Sequence, residues 1–132
     1  MSSLLADLAV HQRVGNTTPF VLGRMDCSLW AADWVLQRTG IDPAASWRGA
    51  YRTEREYVRL LLAEGGLVRV AASAMRRIGA RLVAPPDARA GDIGIIVTGR
   101  GPALAIRGQL AWMAKTGDQL STTPHASFAW RF

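Results

Sequence analysis

The chain has 132 residues, 49% of them apolar and 20% charged, which fits one globular domain with a sizeable core and excludes a disordered chain. No apolar run reaches the roughly 20 residues of a membrane span, and the start Met1-Ser2-Ser3-Leu4-Leu5-Ala6-Asp7 lacks the basic opening of a secretory signal. A single cysteine, Cys27, excludes an internal disulfide, and two histidines without ligand spacing argue against a structural metal or a cofactor site.

The net charge of +6 is carried almost wholly by arginine, with Lys115 the only lysine. The arginines are spread from Arg13 to Arg131 without a dense or aromatic-interleaved block. That spacing argues for a bias toward arginine on solvated faces and against nucleic acid as the partner.

In chain order, Ser2 to Val14 reads as a helix with Leu4, Leu5, Leu8 and Gln12 on one side, serines as N-caps and Gly15 as its terminator. His11 is read as a surface residue of this helix. Asn16-Thr17-Thr18-Pro19 is turn chemistry and Phe20 to Gly23 a short connector. Asp26 is the expected N-cap of the central helix, in which Cys27, Trp30, Ala31, Trp34 and Val35 follow the spacing of a buried face and Thr39-Gly40 ends the run. Asp42-Pro43 is predicted to start a short helix. Thr53 and Glu56 form a capping box for a helix with Tyr57, Val58, Leu61 and Leu62 inward, ending at Gly65-Gly66. A further helix is predicted from Leu67 to Ile78.

After Gly79 the pattern becomes extended. Arg81-Leu82-Val83 leads into a Pro85-Pro86 loop, and Asp92 to Val97 is a β-branched strand followed by a turn at Gly99 to Pro102. Ala103–Arg107, Gln109–Ala114 and Ser127–Phe132 are predicted as further strands, with Thr122 to His125 a loop. Helices followed by strands give an α+β fold, a single domain over 1–132. Its helical part covers about 1–79 and its sheet part about 80–132, a small antiparallel sheet lying against the Cys27-bearing helix.

A cysteine at the start of a helix is where a thiolate forms most readily, because the helix dipole and unpaired amides favour the anion. A buried thiol on an apolar face is the opposing reading, since burial favours the neutral form. Asp26-Cys27-Ser28 opening a helix, with Ala90-Gly91-Asp92-Ile93 opening a strand, resembles the layout of NlpC-type, papain-like cell-wall cysteine peptidases. The chain resembles more closely a family of small tailed-phage and prophage proteins with an uncharacterised domain. The residues carrying that resemblance are Asp26-Cys27, Ala32-Asp33-Trp34-Val35, Thr39-Gly40-Ile41-Asp42-Pro43 and Arg48-Gly49-Ala50-Tyr51. Gly65-Gly66-Leu67, Gly91-Asp92-Ile93, Gly108 and Ala129-Trp130-Arg131 complete the set.

The peptidase resemblance implies a histidine opening the strand after the Gly-Asp strand. The matching stretch here is Ala103-Leu104-Ala105-Ile106, so Ala103 stands where the base is expected, and Trp112 and Met113 fall near the place of the orienting polar residue. Two readings follow from the resemblance. In the first, the chain is a structural or assembly component of a phage tail or tail-like particle on a degenerate scaffold. It is made in the host cytoplasm, resides in the virion, and binds other tail proteins at the distal end, with Trp47, Tyr51 and Trp130 as candidate anchors. In the second, it is an active peptidase on peptidoglycan peptides, with Cys27 as nucleophile and His125 as base. A nucleic-acid-binding accessory role is a third reading, suggested by the net charge alone.

Overall fold

The computed structural model describes residues 3–132, so the expected helix start at Ser2 lies outside it. Four helices precede an antiparallel sheet: α1 (Leu4–Thr17), α2 (Leu29–Thr39), α3 (Glu54–Ala63) and α4 (Leu67–Arg77), then β1 (Arg81–Val83), β2 (Ile93–Thr98), β3 (Gly101–Arg107), β4 (Trp112–Ala114), β5 (Ser121–Thr123) and β6 (Phe128–Arg131). The six strands run in the order β1-β6-β2-β3-β4-β5. The fold is α+β, as expected. No helix among the described residues is long and apolar enough to cross a membrane.

Ser3 caps α1, its hydroxyl accepting from the Ala6 amide. The helix runs through Gly15 rather than ending there. A Cβ at Gly15 would sit 2.7 Å from both Leu120 and the Trp30 indole, so glycine serves close packing at this position. The helix stops where Thr18 turns extended ahead of Pro19. Its buried face is Leu8, His11 and Gly15, with Gln12 exposed.

His11 is therefore a core residue, not a surface one. Its ring stacks on Trp30 at 4.9 Å, and its Nε2–H donates to the Trp30 carbonyl at 2.8 Å. The Trp30 indole N–H returns a bond to the His11 carbonyl at 3.1 Å. This reciprocal pairing satisfies polar groups inside an apolar contact, which is the condition for burying them.

Trp30, Ala31, Trp34 and Val35 of α2 pack with Ile93, Ile95, Ile106, Met113 and Trp130 on one face of the sheet. On the opposite face Ile96, Ala103, Ala105, Trp112, Ala114 and Ala129 form a second cluster. Gly94 pairs with Ala105 on one side and Ala129 on the other. A Cβ at Gly94 would lie 2.4 Å from Cζ3 of Trp112, so this row of small residues gives the indole its seat. Trp112 thus covers the sheet, and Met113 packs into the helix-facing core.

The sole lysine has a structural role. Lys115 is fully buried, and its ammonium donates to the carbonyls of Gly15 at 2.6 Å and of Thr18 and Asp118 at 2.5 Å. A compact three-donor cation fits converging carbonyls at the negative end of α1 where a planar guanidinium would not.

Five further expectations are corrected. Residues 43–49 form successive turns rather than a helix, because the Asp42 carboxylate accepts from the Ala44 amide and holds Arg48. Gln109 to Ala111 is a turn closed by Gly108 N–H to the Ala111 carbonyl at 2.7 Å. Gly101 and Pro102 belong to β3, and Thr122-Thr123 to β5, an edge strand whose short polar run carries no strand periodicity. On α3 only Tyr57 is buried, while Val58 and Leu62 are 44% and 71% exposed.

Burial lowers the His11 pKa below its ordinary value of 6.5, against the hydrogen bond to Trp30 and the charge of Asp33, which raise it. The unfolded chain then takes up the proton first, so this contribution to stability is complete above pH 6.5 and is lost as the pH falls through the depressed pKa. Urea unfolding between about pH 7 and pH 5 is expected to show stability declining with acid, with a smaller slope in His11→Gln. Equal slopes in the two proteins would contradict the buried neutral imidazole.

Candidate functional site

Cys27 does not lie within a helix. It sits in the turn two residues ahead of α2, and the reason is Asp26. The Asp26 side chain has no solvent exposure and accepts four hydrogen bonds. One oxygen takes the amides of Ser28 at 3.0 Å and Leu29 at 2.9 Å. The other takes the Gly23 amide at 2.8 Å and the Tyr51 hydroxyl at 2.6 Å. Asp26 is not the N-cap that the sequence suggests: Ser28 holds that position without a side-chain capping bond, and Asp26, three residues ahead of Leu29, takes the Ser28 and Leu29 amides from outside. Gly23 has φ +84°, and a Cβ there would meet the Tyr51 carbonyl at 2.4 Å, so only glycine closes this loop.

The Cys27 backbone is also engaged. Its carbonyl accepts from the Leu104 amide at 3.1 Å, on a part of β3 that lies beyond the pairing with β4. Cys27 and Ala103 consequently line one cleft of about 350 Å³ between α3 and the β2–β3 hairpin. Its walls are mainly apolar and include Phe20, Val58, Leu61 and Leu62. Besides Cys27 and Tyr57, the ionisable residues lining it are Glu54 and Arg100, both exposed.

The thiol faces Tyr57. Cys27 Sγ lies 3.7 Å from the Tyr57 hydroxyl, to which it donates, and that hydroxyl is 2.7 Å from Ser28 Oγ. Burial pushes the thiol pKa above the ordinary value; the Tyr57 and Ser28 hydrogen bonds oppose the shift, and the Asp26 charge adds to it. Tyr57 is itself raised, first by burial, so its phenol cannot accept the thiol proton near neutrality. The α2 amides that would stabilise a thiolate, those of Ser28 and Leu29, already hold the Asp26 carboxylate. The helix terminus therefore carries an anion before Cys27 could supply a second one.

No imidazole lines the cleft. His125 is exposed on the loop between β5 and β6, and His11 is buried against Trp30. The structure brings together Cys27 and the alanine at the expected base position, and does not bring a histidine to them. Tyr57 and Ser28 are the site residues that sequence reasoning missed. The helical stripe placed Tyr57 inward, but nothing in the spacing aimed its hydroxyl at Cys27. Among the described residues no group of three metal-ligating side chains clusters.

A family model described as a domain of unknown function (DUF6950) matches residues 6–132. The chain belongs to that family. No curated protein and no solved structure matches it. In this DUF6950 chain the residues singled out in the sequence act mainly as scaffold. Arg48 pairs with Asp33 at 2.7 Å and Asp42 at 2.8 Å, which fastens the 42–51 segment to α2. The Gly49 amide bonds the Gly23 carbonyl at 2.9 Å, and Tyr51 bonds Asp26. The Trp34 indole N–H reaches the Gly91 carbonyl at 2.9 Å, and Asp92 receives Arg131 through two nitrogens at 3.1 and 2.7 Å. Tyr51 and Trp130, candidate anchors in the sequence, are buried at 1% and 5% exposure, and only Trp47 stays half-buried.

Asp26→Asn keeps the shape but leaves an amide N–H2 facing donors. It is expected to cost about 3 kcal/mol in urea unfolding, since buried donors to a charged acceptor lose their partner. A loss under about 1 kcal/mol would show that the four bonds do not organise the turn.

Proposed function

We propose that this chain is a non-enzymatic structural or assembly component of a phage tail or tail-like particle, on a papain-like scaffold from which the peptidase chemistry has gone. The observation that carries the loss of chemistry is the cleft itself. The Cys27 thiol faces the Tyr57 hydroxyl at 3.7 Å, and Ala103 lines the same cleft where a base is expected. General-base removal of a thiol proton requires a base within hydrogen-bond reach; among the described residues no histidine lines the cleft, and its one carboxylate, Glu54, is exposed and makes no hydrogen bond to Cys27. The tail assignment, a place in the virion and binding to neighbouring tail proteins rest on the resemblance of Asp26-Cys27, Arg48-Gly49-Ala50-Tyr51 and their companions to small tail-region proteins. Fold alone does not license a function.

Two assays test the proposal together. Particles assembled with Cys27→Ser are expected to keep full titre and tail morphology, whereas deletion of the gene is expected to leave no intact tails. Purified wild-type chain is expected to release no peptide from muropeptides. Muropeptide cleavage that Cys27→Ser abolishes would establish the peptidase reading instead. Absence of the chain from purified particles, with normal tails after its deletion, would refute the assembly role.

A further inference from the structure

α4 carries more apolar surface than the fold covers. Leu67, Ala71, Ala74 and Met75 are buried, and Val68, Ala72 and Arg76, each one turn from the next, form a second stripe along its flank. With Leu82 of β1 and Phe128 and Trp130 of β6, this stripe walls a groove of about 320 Å³. Leu82 is the register partner of Trp130 and so shares its face of the sheet, and Phe128 stacks with Trp130 at 6.1 Å. Val68, Leu82 and Phe128 remain 39%, 65% and 37% exposed. Among the described residues no carboxylate lines the groove. Arg76 does, and Arg69, seven residues earlier on the same helical face, lies outside the lining with its side chain over Gly65; both are exposed, and neither enters an ion pair among the described residues.

We propose that this groove docks an acidic amphipathic helix of another protein, its apolar side covering Leu82 and Phe128 and its carboxylates pairing with Arg69 and Arg76. Charge complementarity selects the occupant. A second copy of a +6 chain would set arginine against arginine. A nucleic acid would engage the guanidinium groups and leave Val68 and Leu82 in water. The stripe from Val68 to Arg76 runs about 12 Å, two turns, which suits a helix laid alongside α4. The edge strand β1 has three residues and offers an added strand few ladder bonds. The inference stands apart from the Cys27 cleft and holds whether or not that cleft is inert.

The test is selection of a displayed library of random peptides, about 18 residues or five helical turns long, against the full chain, followed by fluorescence polarisation of the recovered peptides. Enriched sequences are expected to place Asp or Glu beside apolar residues at i, i+3, i+4 and i+7. Their affinity is expected to fall about tenfold or more for the double variant Arg69→Glu/Arg76→Glu and for Leu82→Asp, and to stay unchanged for Cys27→Ser. Both groove variants alter exposed side chains, and thermal unfolding by circular dichroism confirms that each remains folded. Any of the following overturns the proposal: no enrichment, enrichment without an acidic bias, or binding indifferent to both groove variants. Sedimentation showing wild-type dimers that Leu82→Asp dissolves, or duplex DNA binding that the arginine variant abolishes, would give the groove to another occupant.

Discussion

One buried carboxylate organises the front of this molecule. Asp26 has no contact with solvent, and its two oxygens collect donors from the Gly23 loop, the first amides of α2 and the hydroxyl of Tyr51. Burying a charge is costly unless its acceptor positions are filled, and here four donors fill them, two of them at the positive end of a helix. The remaining geometry follows. Tyr51 is held in the core with its ring tilted against Tyr57 at 4.9 Å, which fixes the inner end of α3. Tyr57 then meets Cys27 and Ser28, and the space between α3 and the β2–β3 hairpin becomes the cleft.

The same carboxylate works against activation of Cys27. A nucleophilic thiolate at a helix start draws on unpaired amides, on the dipole and on a base. In this chain the amides hold Asp26, the nearby charge repels a second anion, burial favours the neutral thiol, and Ala103 supplies no base. The proposed papain-like ancestry and an unreactive thiol are compatible, because the residues that build such a layout differ from those that perform the chemistry. Arg48, Gly49, Tyr51, Trp34 and Asp92 each tie one element to another, so their pattern marks the scaffold whether or not the chain cleaves anything.

Much of the fold was legible because it follows from short-range chemistry. The α2 stripe of Trp30, Trp34 and Val35, the Thr53–Glu56 cap and the β-branched run of β2 all lie where the sequence placed them. Three of the errors share a physical origin, in that the residue's role is set by a partner far along the chain. Gly15 is small because of Trp30 and Leu120, not because a helix ends there. His11 is buried because Trp30 offers both a stacking surface and a carbonyl. Cys27 precedes its helix, whose N-cap is Ser28, and its carbonyl is held by the distant Leu104 amide of β3. The missing base at Ala103 was visible as a departure from a pattern, whereas the thiol's tyrosine partner was not, since no spacing links residues 27 and 57.

The most direct test is the pH dependence of Cys27 alkylation by iodoacetamide in the folded protein, which is simple to follow because the chain has one thiol. The rate is expected to keep rising with pH through the ordinary thiol range near 8.5, with its inflection above that value and no plateau at low pH. An inflection at or below about pH 7, the signature of a preformed thiolate, would contradict a neutral thiol held in place by Asp26 and Tyr57.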